Sequence, residues 1–577
     1  MWRRRLESSP GGGRHLRRVT HLLAGPVIIL VLAPIAIPFT QPGFPWGHDT
    51  PPHLANAFRF DRALWQGQFP VRWAEGLRPG SGQPLFNFYQ VGFYYFVEAL
   101  HATGISLSAA FKLAPVLLWW IGALFTWRWL RPFGRSAAFA GSVTFGLSPY
   151  VILDVFVRAA YPEFMAIVCI VGTLWAADVF LRRGHAGYLP AVSGLVALLL
   201  MSHPPACLIG APLLIGQPLV RSLTDEQSRS RLPSLLLAVA LGAGLASFYV
   251  IPALWELGLV SMWRLTMGGV DYRTNFVPAQ LWIPRVPFEW NYFGTVVTGR
   301  DSLLPLQISI VQWAAIIGGA AWLITRPWTR ARFASSCVLI WLVTIAYALF
   351  MMHAVSRPIW TLVPALAVLQ FPWRFFLLLS IAAAGLTAAL ISQIDRRLMQ
   401  LSYVVLIVGV HMYLYYPHLR PGGFVAQSNM NIDDPRWMAD SDTPPRTFEE
   451  PGYDPAGTRP DPAVPGSWSL LGAGTVDALS HTDAAIVLRI SAPHPVALRF
   501  NIPAFPGWSI AIDEVSASVS VAPNGYMLVS VPGGSHVVRA RFENTPIRLA
   551  ANAMSVISAV MIPIVTNRRR LVPPPHH

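Results

Sequence analysis

Residues 157–183 read VRAAYPEFMAIVCIVGTLWAADVFLRR. From Glu163 to Leu181 the run is apolar over the length that crosses a hydrocarbon core as helix, about 20 residues, and Arg182 and Arg183 close it. Arg158 and Glu163 stand at its other end. This one stretch holds an apolar span, a basic end and an opposite end carrying ionisable groups.

Outward from it in both directions the pattern repeats. Apolar blocks of about 17 to 22 residues alternate with short charged or proline-rich stretches. Hydrophobic residues make up 54% of the chain and charged residues 12%, about half the share of a soluble domain, so the chain lacks the polar surface that water requires. The expected spans lie near 19–39, 109–130, 136–151, 163–181, 187–203, 205–220, 233–252, 306–325, 333–352, 375–393, 400–417 and 547–565. The fold class expected is a polytopic α-helical membrane protein of about a dozen helices, with a C-terminal extracytoplasmic β-sandwich-like domain.

The net charge of +15 is explained by where the arginines fall. Arg3, Arg4, Arg5, Arg14, Arg17 and Arg18 precede the first block; Arg128, Arg131 and Arg135, then Arg182 and Arg183, then Arg221, Arg229 and Arg231 lie between later ones. Arg326, Arg330 and Arg332, then Arg396 and Arg397, and finally Arg568, Arg569 and Arg570 continue the series. With one crossing per block every cluster lies on one side, the positive-inside pattern, which puts both termini in the cytoplasm. A nucleic-acid partner is excluded because no basic stripe carries the interleaved aromatics that bases stack on. The three cysteines, Cys169, Cys207 and Cys337, sit far apart in apolar blocks and form neither a disulfide framework nor a metal site. The first block is too long for a signal-peptide core and stays as a helix.

The expected organisation is a basic cytoplasmic N-terminus (1–18), a transmembrane module (19–417) with outer loops 40–108, 253–305 and 353–374, a β-rich domain (418–546), a last helix (547–566) and a cytoplasmic tail (567–577). In the first outer loop Leu54, Ala57, Phe58, Leu64 and Trp65 recur at helical spacing around Arg59, Asp61 and Arg62, an amphipathic helix expected to lie on the membrane. Phe86 to Leu100 reads as interfacial or re-entrant, since a further crossing there would invert the charge rule downstream. Near the C-terminus, alternating runs at 485–490, 496–502 and 526–531 read as strands, with turns at Pro506-Gly507, Pro523-Asn524-Gly525 and Pro532-Gly533-Gly534.

Ionisable groups near helix ends in a membrane need a reason to be there. Asp49, in Gly47-His48-Asp49-Thr50-Pro51-Pro52-His53, is either the cap of a helix that starts at a proline or a base. Arg158 and Glu163 are either an interfacial salt bridge or part of a site. His203, in Ser202-His203-Pro204-Pro205, satisfies a helix end or faces that site; Arg374, in Leu369-Gln370-Phe371-Pro372-Trp373-Arg374, anchors at the interface or binds an anion. A guanidinium would hold a leaving phosphate and a carboxylate opposite would deprotonate an incoming hydroxyl, inverting the anomeric carbon of a transferred sugar. Neither a phosphate-binding glycine loop after a strand nor a zinc motif is present.

Gly47-His48-Asp49 with His53, Gly67-Gln68-Phe69-Pro70-Val71-Arg72-Trp73, Pro84-Leu85-Phe86-Asn87-Phe88-Tyr89, Arg158 with Glu163, His203 and Gln370-Phe371-Pro372-Trp373-Arg374 together resemble the bacterial membrane family labelled 6-pyruvoyl-tetrahydropterin-synthase-related, which is similar to the YfhO-like proteins and, more distantly, to GT-C glycosyltransferases. Phe505-Pro506-Gly507-Trp508 and Pro532-Gly533-Gly534-Ser535-His536 extend the resemblance over essentially the whole chain. It implies a membrane glycosyltransferase that moves a sugar from a polyprenyl-phosphate donor to a cell-envelope glycan or protein acceptor. Asp49 would be the base, and His48, His53, Arg158, Glu163, His203 and Arg374 would bind substrate. Where many such loops carry adjacent acids this one has His48-Asp49, so no metal pair is implied and no cofactor is expected, a divalent metal being left open. Two other readings share these features: a transporter or flippase of lipid-linked glycans, and a non-catalytic envelope assembly protein.

Overall fold

The computed structural model describes residues 25–75, 82–261, 263–264, 270–283, 304–325, 332–426, 430–433 and 467–570. The N-terminal arginines, Arg326 and Arg330, about half of the 253–305 loop, and the proline-rich stretch ahead of the strands lie outside them.

Among the described residues seven helices are long and apolar enough to cross a membrane: Leu107–Phe133, Tyr161–Arg183, Pro204–Thr224, Phe333–Met352, Pro372–Ile391, Arg397–His418 and Pro546–Asn567. Two bent pairs bring the number to nine, and Gly25–Thr40, Tyr188–Ser202 and Ile310–Thr325 are shorter apolar helices. Expected span three is one of the bent pairs. Arg135–Gly146 and Pro149–Arg158 meet at 40° because Pro149 cannot donate back into the first piece and Ser148 is extended. At the break the Ser148 hydroxyl bonds Ser380 (2.7 Å) and accepts from Gln312 (3.1 Å), so the polar groups find partners inside protein, as a membrane requires. The second pair, Glu226–Leu245 and Ser247–Trp255, bends by 66°. Tyr161–Arg183 and Pro372–Ile391 are central, each 94% buried, whereas Arg397–His418 and Pro546–Asn567 are peripheral at 17%.

The helix in the first long loop, Thr50–Trp65, departs from expectation. It does not lie with one face on a membrane: His53 through Phe60 are all buried, Arg59 included at 2% exposed. The segment Leu85–His101 folds back over it, with Phe60 edge-on to Phe86 at 4.9 Å and Tyr95 at 4.8 Å. Within that segment the helix Val91–His101 has 11 residues, about 16 Å, roughly half a hydrocarbon core.

The C-terminal strands form two antiparallel sheets. One runs in the order Val515–Ser516, Trp508–Ile512, Gly534–Phe542, Ala485–Ala492, Thr475–Thr482; the other Ser520–Val521, Tyr526–Val531, Val496–Pro503, Trp468–Leu471. Alternate residues, among them Ile486, Leu488, Ile490, Leu498, Phe500, Val529 and Val538, fill one shared core, as period-two strands require. That core extends to Trp73 and Phe88 of the first long loop. Trp73 packs on Trp508 (5.3 Å), Phe542 (5.0 Å) and Phe505 (6.3 Å), and Gly82 is required beside it, because a Cβ there would lie 2.1 Å from the indole nitrogen. The two motifs Gln68–Trp73 and Phe505–Trp508 are thus the two halves of one contact.

A buried polar joint completes it. Arg548 is 0% exposed and donates to Glu256 at 2.9 and 3.2 Å. Asn87 donates to the same carboxylate at 2.7 Å, and Arg72 bonds Asn87, Asn544, Asn552 and the Phe248 carbonyl. Burial and the Arg548 charge nearby lower the Arg72 pKa to about 10, leaving it a cation at neutral pH.

Candidate active site

The motif segment Gly47–Asp49 lies along the end of the helix pair that carries Arg158. His48 N–H donates to the Val157 carbonyl (3.0 Å) and Asp49 N–H to the Arg158 carbonyl (2.8 Å). Gly47 permits the approach, since a Cβ there would sit 2.7 Å from that of Ala159. Ala159 itself is left-handed, φ 57°, and terminates a π-helical turn from Asp154 to Arg158, a distortion of the kind found at functional sites.

Glu163 occupies the first turn of the Tyr161–Arg183 helix, just after Pro162, where the helix dipole favours a carboxylate. It is 1% exposed. Tyr150 Oη donates to Oε1 at 2.5 Å; Arg158 Nη1 and Arg374 Nε both donate to Oε2, at 3.0 and 3.1 Å. Arg158 Nη1 also bonds Asp154. The salt bridge considered for Arg158 and Glu163 is present and belongs to a larger cluster. Arg374 further donates to the Leu369 carbonyl (2.8 Å) and to Gln370 Oε1 (3.3 Å). It is 7% exposed and Trp373 2%, which removes the interfacial-anchor reading.

His203 is doubly placed. Its Nδ1 accepts from Ala206 N–H at 3.0 Å, capping the Pro204–Thr224 helix, and so carries no proton. Nε2 lies 3.9 Å from Glu163 Oε2, beyond hydrogen-bond range. His53 Nδ1 is 2.7 Å from the Tyr94 hydroxyl; burial, against the pull of Asp49 and with a push from Arg158, lowers its pKa to about 4, so it is neutral at pH 7. His48 lies edge-on to Trp46 at 6.0 Å. Asp49 is half-buried and precedes the Thr50–Trp65 helix, yet its side chain makes no capping hydrogen bond. The capping reading is not what the structure has.

Asp154 and Tyr150 escaped the sequence reading. Asp154 is fully buried, with Oδ2 lacking a hydrogen-bond partner among the described residues; an acid inside the apolar run Val151–Val157 was the signal for it. Tyr150 offered none, since an interior tyrosine is ordinary. Among the described residues no group of three or more His, Cys, Asp or Glu side chains is placed to hold a metal ion.

Apolar helices wrapped around a desolvated charge cluster define a multi-pass membrane protein. No protein-family model matches the chain, and no curated protein matches it. Among solved structures it is similar to the arabinofuranosyltransferase AftD from Mycobacteria, with TM-score 0.45 and 14% identity over 74% of this chain and 29% of that one. A mutant form of the same enzyme gives TM-score 0.43 and 15% identity over 70% and 28%. This chain thus spans 29% of the length of the first of these, and at these TM-scores the likeness bears no weight.

Proposed function

We propose that the chain is a GT-C-like membrane glycosyltransferase that moves a sugar from a polyprenyl phosphate to a cell-envelope glycan or protein acceptor at the outer face of the cytoplasmic membrane. The observation that carries this reading is the state of Asp49: a half-buried carboxylate that caps nothing, hydrogen-bonded through its backbone to Arg158. In the reaction an Asp49 oxygen takes the acceptor hydroxyl proton and the hydroxyl oxygen bonds the anomeric carbon from one side. The bond to the phosphate oxygen breaks on the other, its electron pair leaving with the lipid phosphate, and the anomeric centre inverts.

Arg374 and Arg158 offset the charge that grows on the phosphate. Glu163, with both oxygens already engaged, acts through those arginines by holding their positions. His48, His53 and His203 line the substrate side, His53 as a neutral ring. The apolar helices amount to twelve crossings, both termini are cytoplasmic, and the sandwich presents the acceptor. The test is purified protein with native lipid: Asp49→Asn retains a polyprenyl-phosphate sugar that wild type turns over when envelope acceptor is added. Identical turnover by the two would sink the mechanism, and identical retention would turn the reading toward transport or binding.

A further inference from the structure

Two positive guanidiniums converge on one carboxylate oxygen, Arg158 at 3.0 Å and Arg374 at 3.1 Å from Glu163 Oε2. Like charges this close repel, so something must fix where each one stands. Beside them lies a pair of stacked rings: Phe371 and Trp373 are parallel within 22° at 4.8 Å. Arg374 Cζ sits 4.8 Å from the Phe371 centroid, and Arg158 Cζ 4.4 Å from that of Trp373. Each guanidinium is therefore seated on its own ring of one stacked pair, Arg374 on Phe371 and Arg158 on Trp373.

The rings are anchored in turn. Gln370 holds a left-handed backbone, φ 60°, a strained conformation for a residue with a side chain, and it turns the chain just ahead of Phe371. The Trp373 indole N–H donates to Asn275 Oδ1 at 3.4 Å.

We propose that Phe371 and Trp373 are positioning residues that set the separation of the two arginines, so that both in-plane edges address one lipid-linked phosphate group. With its face covered by a ring, each guanidinium can donate only in its own plane. Nη1 of Arg158 and Nε and Nη1 of Arg374 are spent on protein partners. Neither Nη2 donates a hydrogen bond among the described residues, and these are the groups a phosphate would meet. The inference rests on the transferase reading and deepens it.

The test measures binding of sugar-free polyprenyl phosphate and, separately, sugar transfer, in wild type, Trp373→Phe, Trp373→Leu and Phe371→Leu. Trp373→Phe keeps a ring face and is expected within about threefold of wild type in both. Trp373→Leu stays apolar but has no ring, and is expected to bind polyprenyl phosphate about five- to thirtyfold more weakly with the acceptor KM unchanged. Phe371 is half-exposed, so its leucine variant serves if Trp373→Leu fails to fold, with the same expectation. Folded leucine variants matching wild type, or a phenylalanine variant as weak as leucine, would overturn the positioning role. Wild type that neither binds nor transfers would instead overturn the transferase reading.

Discussion

Glu163 is the residue on which the cluster turns. Replacing it with Gln leaves Arg158 and Arg374 buried with Asp154 as the only acid hydrogen-bonded within the cluster among the described residues. Breaking a buried pair by removing one partner costs about 3 to 5 kcal/mol, and the amide recovers only part of that, so Glu163→Gln should lower the melting temperature in detergent and abolish transfer together. Asp49→Asn, by contrast, should leave the melting curve alone. A second residue makes a pH prediction. Glu98, in the Val91–His101 helix, has its pKa raised to about 8 by burial, with Asp61 adding to it. Around it stand Asp61, His101, which lies 3.5 Å from Asp61, and the more distant Asp433, with Trp65 hydrogen-bonding both acids. A carboxyl raised in the folded state stabilises below its ordinary pKa, and that contribution is lost as pH rises through about 8. Melting temperature should therefore fall between pH 6 and 9, and Glu98→Gln should flatten that fall; an unchanged slope would exclude Glu98 as its source. At this scale the sequence showed which residues stood at block ends, and the structure brings Arg158, Glu163, His203 and Arg374 within one cluster. It could not show that Glu163 is saturated, because two of the groups that bond it, Tyr150 and Arg374, come from 13 and 211 positions away.

At the scale of elements the C-terminal helix is fastened by charge as well as by packing. Removing the acid in Glu256→Ala leaves Arg548 buried without its carboxylate, an expected loss of about 3 to 5 kcal/mol. The measurement is a detergent melt together with protease release of the sandwich, and a variant as resistant as wild type would show the joint to be dispensable. Helices and strands here were largely legible, because Val496 to Ile502 alternates with period two and Glu163 to Leu181 stays apolar over the length of a membrane span. The breaks at Ser148 and Ala246 were not. Apolar composition continues straight through them, and what bends the chain is a proline in one case and hydrogen bonds to distant residues at both. The buried Thr50–Trp65 helix misled for a related reason. Its pattern is amphipathic, but Arg59 finds Asn56 at 2.9 Å and can be covered.

For the whole molecule the proposed topology makes a labelling prediction. Ser535→Cys lies at the exposed start of the strand Gly534–Phe542 and Gln227→Cys in the exposed first turn of the helix Glu226–Leu245, and a membrane-impermeant maleimide applied to intact spheroplasts should modify the first and reach the second only after lysis. The reverse result, or equal labelling, would overturn the assigned orientation. Composition and arginine placement carried the membrane class from the outset. The docking of sandwich on bundle did not show, since Trp73 and Trp508 are separated by most of the chain and only the fold makes them neighbours.

The separations within the cluster also bear on how the chain is made. Glu163 and Arg374 are 211 residues apart, so at about 5 to 20 residues per second the ribosome runs for tens of seconds after the acid is synthesised before its second arginine exists. Tyr150 and Arg158, 13 and 5 residues from Glu163, emerge ahead of it and travel with it into the translocon. Those near neighbours are what make an acid-bearing helix tolerable to the bilayer while it waits, and Arg374 completes an arrangement that biosynthesis has already made safe.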